Sequence, residues 1–253
     1  MNDSNTYTSN AAEGPKVFHS RSRTRAVELA RAEEHFLALS TTVKTAAIEN
    51  GKRVLLLTSA VRGEGKSFVA MNLGTNLAKL GVPTLLLDAD LRAPCKYPFL
   101  RKPSSDGLLG FLDKGAPFAA CVCESTVPLL SIIPSGGVSS APLQAFTRSR
   151  MRDLVASLRE FAASGVVLLD TPPGLIAPEV KFLTSFVDAA LLVVAANRTP
   201  RSSVAAVLEL LGGTSVLGII LNQWKPVGSG YRYYHPMGDF KPRSNGLVWP
   251  TEM

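Results

Sequence analysis

The chain has 253 residues, 46% of them hydrophobic and 19% charged, which suits one large α/β domain or two small ones and allows a sizeable core. Its net charge of +7 comes with no aromatic-interleaved basic motif, so no nucleic-acid partner is expected, and bound nucleotide or an acidic partner accounts for the charge as well. The three cysteines, Cys95, Cys121 and Cys123, form neither a disulfide framework nor a zinc-binding set, and no apolar run reaches the length of a membrane span; a reduced, cytoplasmic setting is expected.

Residues 1–25 are polar and lack the apolar core of a signal peptide. They read as a disordered N-terminal segment ending in the basic stretch Arg21-Ser22-Arg23-Thr24-Arg25. A single domain is expected over residues 26–224. It opens with a helix from Ala26 to about Ile48, where Val27, Leu29, Phe36, Leu39 and Val43 recur at roughly helical spacing. Arg53–Thr58 is a short continuous apolar run, as in a buried parallel strand. A Gly-rich turn then leads into a helix over Ser67–Leu80, closed by Gly81 and Pro83.

Further strands are expected at Thr84–Leu87, Leu129–Ile133, Val166–Leu169, Ala189–Val194 and Leu217–Leu221. Helical stretches around Ser149–Glu160 and Ser202–Leu211 separate several of them. This alternation predicts a doubly wound, mainly parallel sheet with helices on both faces. Residues 225–253, rich in Gly, Pro and polar residues, read as a flexible tail.

Three motifs carry chemistry. The first is Ala60-Val61-Arg62-Gly63-Glu64-Gly65-Lys66-Ser67, between the first strand and the next helix. Gly63 and Gly65 let backbone N–H groups close around phosphates, Lys66 supplies charge, and Ser67 offers a hydroxyl to Mg²⁺. The first position is Ala rather than Gly, one departure from the strict pattern. The second motif, Asp88-Ala89-Asp90-Leu91-Arg92, puts two carboxylates at the carboxyl end of a buried strand, where α/β sheets bind ligands. Alone this pattern fits a solvated turn better; beside a P-loop the balance reverses and it points to the site. The third, Asp170-Thr171-Pro172-Pro173, ends an apolar strand with an acidic residue suited to a Mg²⁺ shell.

Taken together, these motifs resemble those of the bacterial tyrosine kinase (BY-kinase) family of capsular and exopolysaccharide synthesis. The resemblance runs from about Glu34 to Asn222. It includes Ile133-Pro134-Ser135-Gly136 with Pro142 following, Asp188, and Gly218-Ile219-Ile220-Leu221-Asn222. The related partitioning and cell-division ATPases carry a second lysine where this chain has Val61, which favours the kinase-like branch.

The resemblance implies an ATP- and Mg²⁺-dependent enzyme with Lys66 and Asp88 in catalysis. It implies a nucleotide cradle of Gly63, Glu64, Gly65, Lys66, Ser67 and Phe68, with Asn222 near the adenine. Ser67, Asp90 and Asp170 are the implied metal shell. The resemblance also implies regulation of polysaccharide synthesis, peripheral association with the cell membrane through a membrane-embedded co-polymerase or activator, and homo-oligomers. A C-terminal tyrosine cluster would be phosphorylated on a neighbouring subunit; here Tyr231, Tyr233 and Tyr234 form such a cluster.

Departures from the family pattern are specific. The Glu-x-x-Arg-x-x-Arg motif used in ring assembly has the register Glu34, Leu37 and Ser40, so both arginines are absent. Arg62 stands where Pro is common, Phe68 where Thr is common, and Glu179 in place of an Asp. The rival reading is a nucleotide-switched ATPase or an inactive nucleotide-binding scaffold without tyrosine transfer. An ordinary aspartate lies about 6 pKa units below a phenol, so Asp88 is expected to orient the acceptor hydroxyl and take its proton late in a loose transition state.

Overall fold

The computed structural model describes residues 21–100 and 106–224, with side chains from residue 32. Helix α1 spans Arg21–Ala46, so it begins ahead of the expected Ala26 and takes in the basic stretch. Strand β1 (Val54–Ser59), helix α2 (Lys66–Lys79) and strand β2 (Thr84–Asp88) follow. Next come α3 (Gly107–Lys114), α4 (Phe118–Cys121), β3 (Cys123–Glu124) and β4 (Leu130–Ile133). The chain continues through α5 (Pro142–Phe146), α6 (Met151–Ala162), β5 (Val166–Asp170), α7 (Pro178–Leu183), β6 (Ala189–Ala195), α8 (Arg201–Leu210) and β7 (Ser215–Asn222).

The seven strands run in the order β3-β4-β2-β5-β1-β6-β7. All neighbours are parallel except β3 and β4. The sheet is therefore the expected doubly wound, mainly parallel one, with an added antiparallel edge. Every residue of β1 is buried, because β5 and β6 flank it and helices cover both faces.

Side-chain alternation along β1 divides the core. Val54 and Leu56 face the layer of α3, α6, α7 and α8, whereas Leu55 and Leu57 face α1 and α2. In that second layer Val43 and Ala47 of α1 meet Leu73 and Leu77 of α2. Leu129, expected in a strand, instead takes φ 64 and is exposed, so β4 starts one residue later. Among the described residues no helix is long and apolar enough to cross a membrane. The putting-together of this sheet has one consequence for function: the carboxyl ends of β1, β2 and β5 lie side by side.

Candidate functional site

The loop from β1 to α2 is held in shape from both sides. Gly63 and Gly65 adopt φ 80 and 85, conformations that L side chains rarely enter, which accounts for glycine at both positions. A Cβ at Gly65 would also collide with the Asn222 amide. Inside the loop, the buried Glu64 carboxylate accepts hydrogen bonds from the Val61 N–H (2.7 Å), the Ala195 N–H (3.3 Å) and the Thr199 hydroxyl. The Glu64 side chain therefore braces the loop against the end of β6. On the outer side, the Asn222 side chain donates to the Glu64 carbonyl and the Gln223 side chain to the Gly63 carbonyl, each at 2.8 Å. Arg198 in turn donates to the Gln223 amide oxygen at 2.9 Å. Helix α2 begins at Lys66, so its first N–H groups and the positive end of its dipole face the loop's interior.

Three buried aspartates converge beside it. Parallel pairing of β2 with β5 sets Asp88 directly opposite Asp170. The Asp88 carboxylate accepts the N–H of Asp90 at 3.1 Å and of Cys95 at 3.0 Å. Burial and then the charge of Asp170 outweigh those bonds and push its pKa up to about 8. Asp170 is fully buried and neither carboxylate oxygen has a hydrogen-bond partner. Burial lifts it to about 6 against the pull of the Lys66 charge and of the Ser67 hydroxyl, which is near enough to act but satisfies neither oxygen. Asp90 is already engaged: one oxygen accepts the N–H groups of Arg92 (3.2 Å) and Ala93 (3.0 Å), and the other lies 3.2 Å from Lys66 Nζ.

An orphaned buried carboxylate beside a cation and a hydroxyl is an arrangement that fits a divalent ion. Among the described residues no cluster of three or more His, Cys, Asp or Glu side chains forms a closed metal cage. Mg²⁺ needs none, since it binds through one or two carboxylates together with phosphate oxygens and water. Asp170 and Ser67 fit that role. Asp90 fits once Lys66 turns from it to a phosphate.

A cavity of about 180 Å³ opens in front of these groups, its wall formed in part by Arg62, Lys66, Asp90, Arg92, Pro172 and Pro173. Arg92 forms a two-pronged ion pair with the buried Glu179, Nε to Oε1 at 2.6 Å and Nη2 to Oε2 at 3.0 Å. Behind the aspartates lies the buried Tyr97, whose hydroxyl has no partner and whose pKa is held well above 10 by burial and then by the charge of Asp88. The Cys95 thiol is pushed up to about 12 by burial and then by the charges of Asp170 and Asp88, which disfavours its thiolate.

Gly63, Glu64, Gly65, Lys66, Ser67, Asp88, Asp90, Asp170 and Asn222 thus gather at one sheet edge. Phe68 does not turn its ring to the cradle; it packs edge-on against Phe36 of α1, with ring centroids 5.6 Å apart. Tyr231, Tyr233 and Tyr234 lie outside the described residues. Sequence reasoning missed Thr199, Arg198 and Gln223, which hold the loop only through long-range register. It also missed the ion pair of Arg92 with Glu179, for which the two opposite charges beside motif residues were a signal.

A mainly parallel sheet with a phosphate cradle at the end of an inner strand and acidic residues at the ends of the next two strands defines a P-loop nucleotide-binding protein. Residues 55–232 match the CobQ/CobB/MinD/ParA nucleotide binding domain. The tyrosine-protein kinase CpsD of Streptococcus agalactiae is 30% identical over 216 residues, covering 84% of this chain and 91% of that protein. The tyrosine-protein kinase YwqD of Bacillus subtilis is 30% identical over 210 residues, covering 82% and 88%. The kinase domain of the Escherichia coli tyrosine kinase ETK superposes with a TM-score of 0.71 at 26% identity, covering 81% of this chain and 80% of that one. The chain belongs to the bacterial tyrosine kinase family, within the CobQ/CobB/MinD/ParA class of P-loop proteins.

Proposed function

We propose that this protein is an ATP-dependent, autophosphorylating protein-tyrosine kinase acting in capsular or exopolysaccharide biosynthesis. The observation that carries the reading is the meeting of the Lys66 cradle with Asp88 and the unpartnered Asp170 at one sheet edge. Similarity to proteins named tyrosine-protein kinases supports a tyrosine acceptor.

In the proposed reaction the bond between the γ-phosphorus of ATP and its bridging oxygen breaks and a tyrosine oxygen bonds to that phosphorus. ADP leaves, and the phenolic proton passes to the ionised Asp88 carboxylate. The loop N–H groups of residues 63–67 and the Lys66 ammonium bind and orient the phosphates. Ser67 and Asp170, joined by Asp90 once Lys66 turns to phosphate, would hold Mg²⁺, which would supply neutralisation of phosphate charge. Burial and the neighbouring Asp170 hold the Asp88 carboxyl above the ordinary aspartate range, which makes its ionised form a stronger base toward a phenol. Asn222, fixed beside the loop by its bond to the Glu64 carbonyl, is proposed to meet the base of the nucleotide.

The acceptor is proposed to be the cluster Tyr231, Tyr233 and Tyr234 on a neighbouring subunit. The proposed partner is a membrane-embedded polysaccharide co-polymerase that brings the protein to the inner face of the membrane and gathers subunits. Leu37 is about half exposed and Ser40 fully buried, so the face of α1 that would carry the assembly arginines offers no charged contact at either position. Self-association is accordingly expected to be weak without the partner. Incubating the purified protein with labelled ATP and Mg²⁺ and mapping the label by mass spectrometry tests the reading. Phosphate on the tyrosine cluster supports it; hydrolysis with no labelled protein supports the nucleotide-switch alternative.

A further inference from the structure

The cations in the wall of the nucleotide cavity are not equivalent. Lys66 lies 3.2 Å from Asp90, and Arg92 is held by Glu179 at 2.6 Å. Arg62, in the same wall, is exposed and has no carboxylate within ion-pair distance among the described residues. Arg198 also lies near the loop, but it is spent on Gln223 and stands outside that wall.

The backbone around Arg62 is fixed on both sides. The preceding N–H, of Val61, is bonded to the Glu64 carboxylate, and the following carbonyl, of Gly63, to the Gln223 amide. A guanidinium on a fixed backbone, at the open side of a phosphate cradle and without a counter-charge, is an anion-binding group awaiting its anion. The anion that a P-loop delivers there is the terminal phosphoryl group, whose equatorial oxygens gain charge-assisted contacts as it moves between donor and acceptor.

We propose that Arg62 contacts the transferring phosphoryl group from within its own P-loop, acting as a cation in cis during transfer. The inference rests on the phosphoryl-transfer reading above and assigns a residue to it. Its contact strengthens as the group leaves ADP, so Arg62 contributes more to the transition state than to bound ATP. Lys66 remains the ground-state ligand.

The test compares wild-type protein with Arg62→Ala and Arg62→Lys by calorimetry. Affinities are measured for the Mg²⁺ complexes of a non-hydrolysable ATP analogue and of ADP with aluminium fluoride, a mimic of the group in flight, and single-turnover transfer is timed. In Arg62→Ala the ATP-analogue affinity should change by less than about threefold. Affinity for the fluoride mimic and the transfer rate should both fall by at least about tenfold, the scale of losing a preorganised charge contact. Arg62→Lys should recover part of both losses, which a merely structural role would not produce. The proposal is overturned if Arg62→Ala binds the mimic like wild type, or if fluoride fails to tighten ADP binding in the wild type. A wild type that binds the mimic through Arg62 and labels no tyrosine leaves this inference standing and removes the kinase reading.

Discussion

Lys66 Nζ lies 3.2 Å from Asp90 Oδ2, so the cation meant for phosphate rests on a carboxylate of the second motif. The other oxygen of Asp90 holds the turn through Arg92 and Ala93, which fixes the resting place of that carboxylate. In the proposed site, a bound triphosphate would exchange one anion for another at Lys66 and release an Asp90 oxygen for the metal shell. The same lysine would then link phosphate occupancy to the readiness of the metal site.

Lys66→Met should weaken ATP binding by about 1.5–3 kcal/mol, the range for a lost charge-assisted bond. Calorimetry on the purified variant measures it. Unchanged ATP affinity would refute the cradle assignment.

Asp170→Asn replaces a buried, unpartnered acid by a neutral group of the same shape. The ligand-free protein should melt no lower than wild type, and above pH 6 slightly higher, because a desolvated charge has been removed. The enhancement of nucleotide affinity by Mg²⁺ should be lost. Thermal melts with and without Mg²⁺ and ATP report both effects, and a variant with intact Mg²⁺ dependence would refute the metal assignment.

The pH dependence follows from the same two acids. Asp88 (about 8) and Asp170 (about 6) both titrate above the ordinary 3.8. A raised acid binds its proton more tightly in the folded state, so its stabilisation is full below the unfolded pKa and is lost as pH rises through the folded one. The ligand-free melting temperature should fall from about pH 4 to pH 8, and Asp88→Asn should flatten the upper part of that slope. A melting temperature that climbs over this range in wild type, corrected for the same variant, would contradict the burial of these charges.

The ion pair of Arg92 with Glu179 should respond asymmetrically. Glu179 is fully buried, whereas the Arg92 side chain is 33% exposed and can turn to water. Arg92→Ala strands a buried carboxylate and should destabilise by about 3 kcal/mol. Glu179→Gln keeps a bonding partner and should cost about 1 kcal/mol. Denaturant titration of both variants checks the order, and equal losses would argue against the pair as described.

Replacing Tyr231, Tyr233 and Tyr234 together by Phe should remove most incorporated phosphate and leave ATP affinity unchanged. Undiminished labelling by mass spectrometry would move the acceptor elsewhere in the chain.

The legible part of this molecule was that governed by local pattern. β1, β2, β5 and β6 are continuous apolar runs buried on both faces, and the glycines of the loop announce its curl. The carboxylates at the ends of β2 and β5 could be placed at one edge before their register was known. The short elements escaped: β3 has two residues and α4 four, too few to show a period. α7 was overlooked although Pro178 stands at its first position, a recognised start signal. Glu64 was assigned to the cradle, but the work of its carboxylate depends on Ala195 and Thr199, far along the chain.

β7 ends at Asn222, and Gln223 turns the chain away with φ 58. The side chains on either side of that bend are fastened to the Glu64 and Gly63 carbonyls. The phosphate loop is thus moored to the end of β7 by two side chains. A pull on β7 reaches the loop through them, and a nucleotide that stiffens the loop pins the end of that strand in turn.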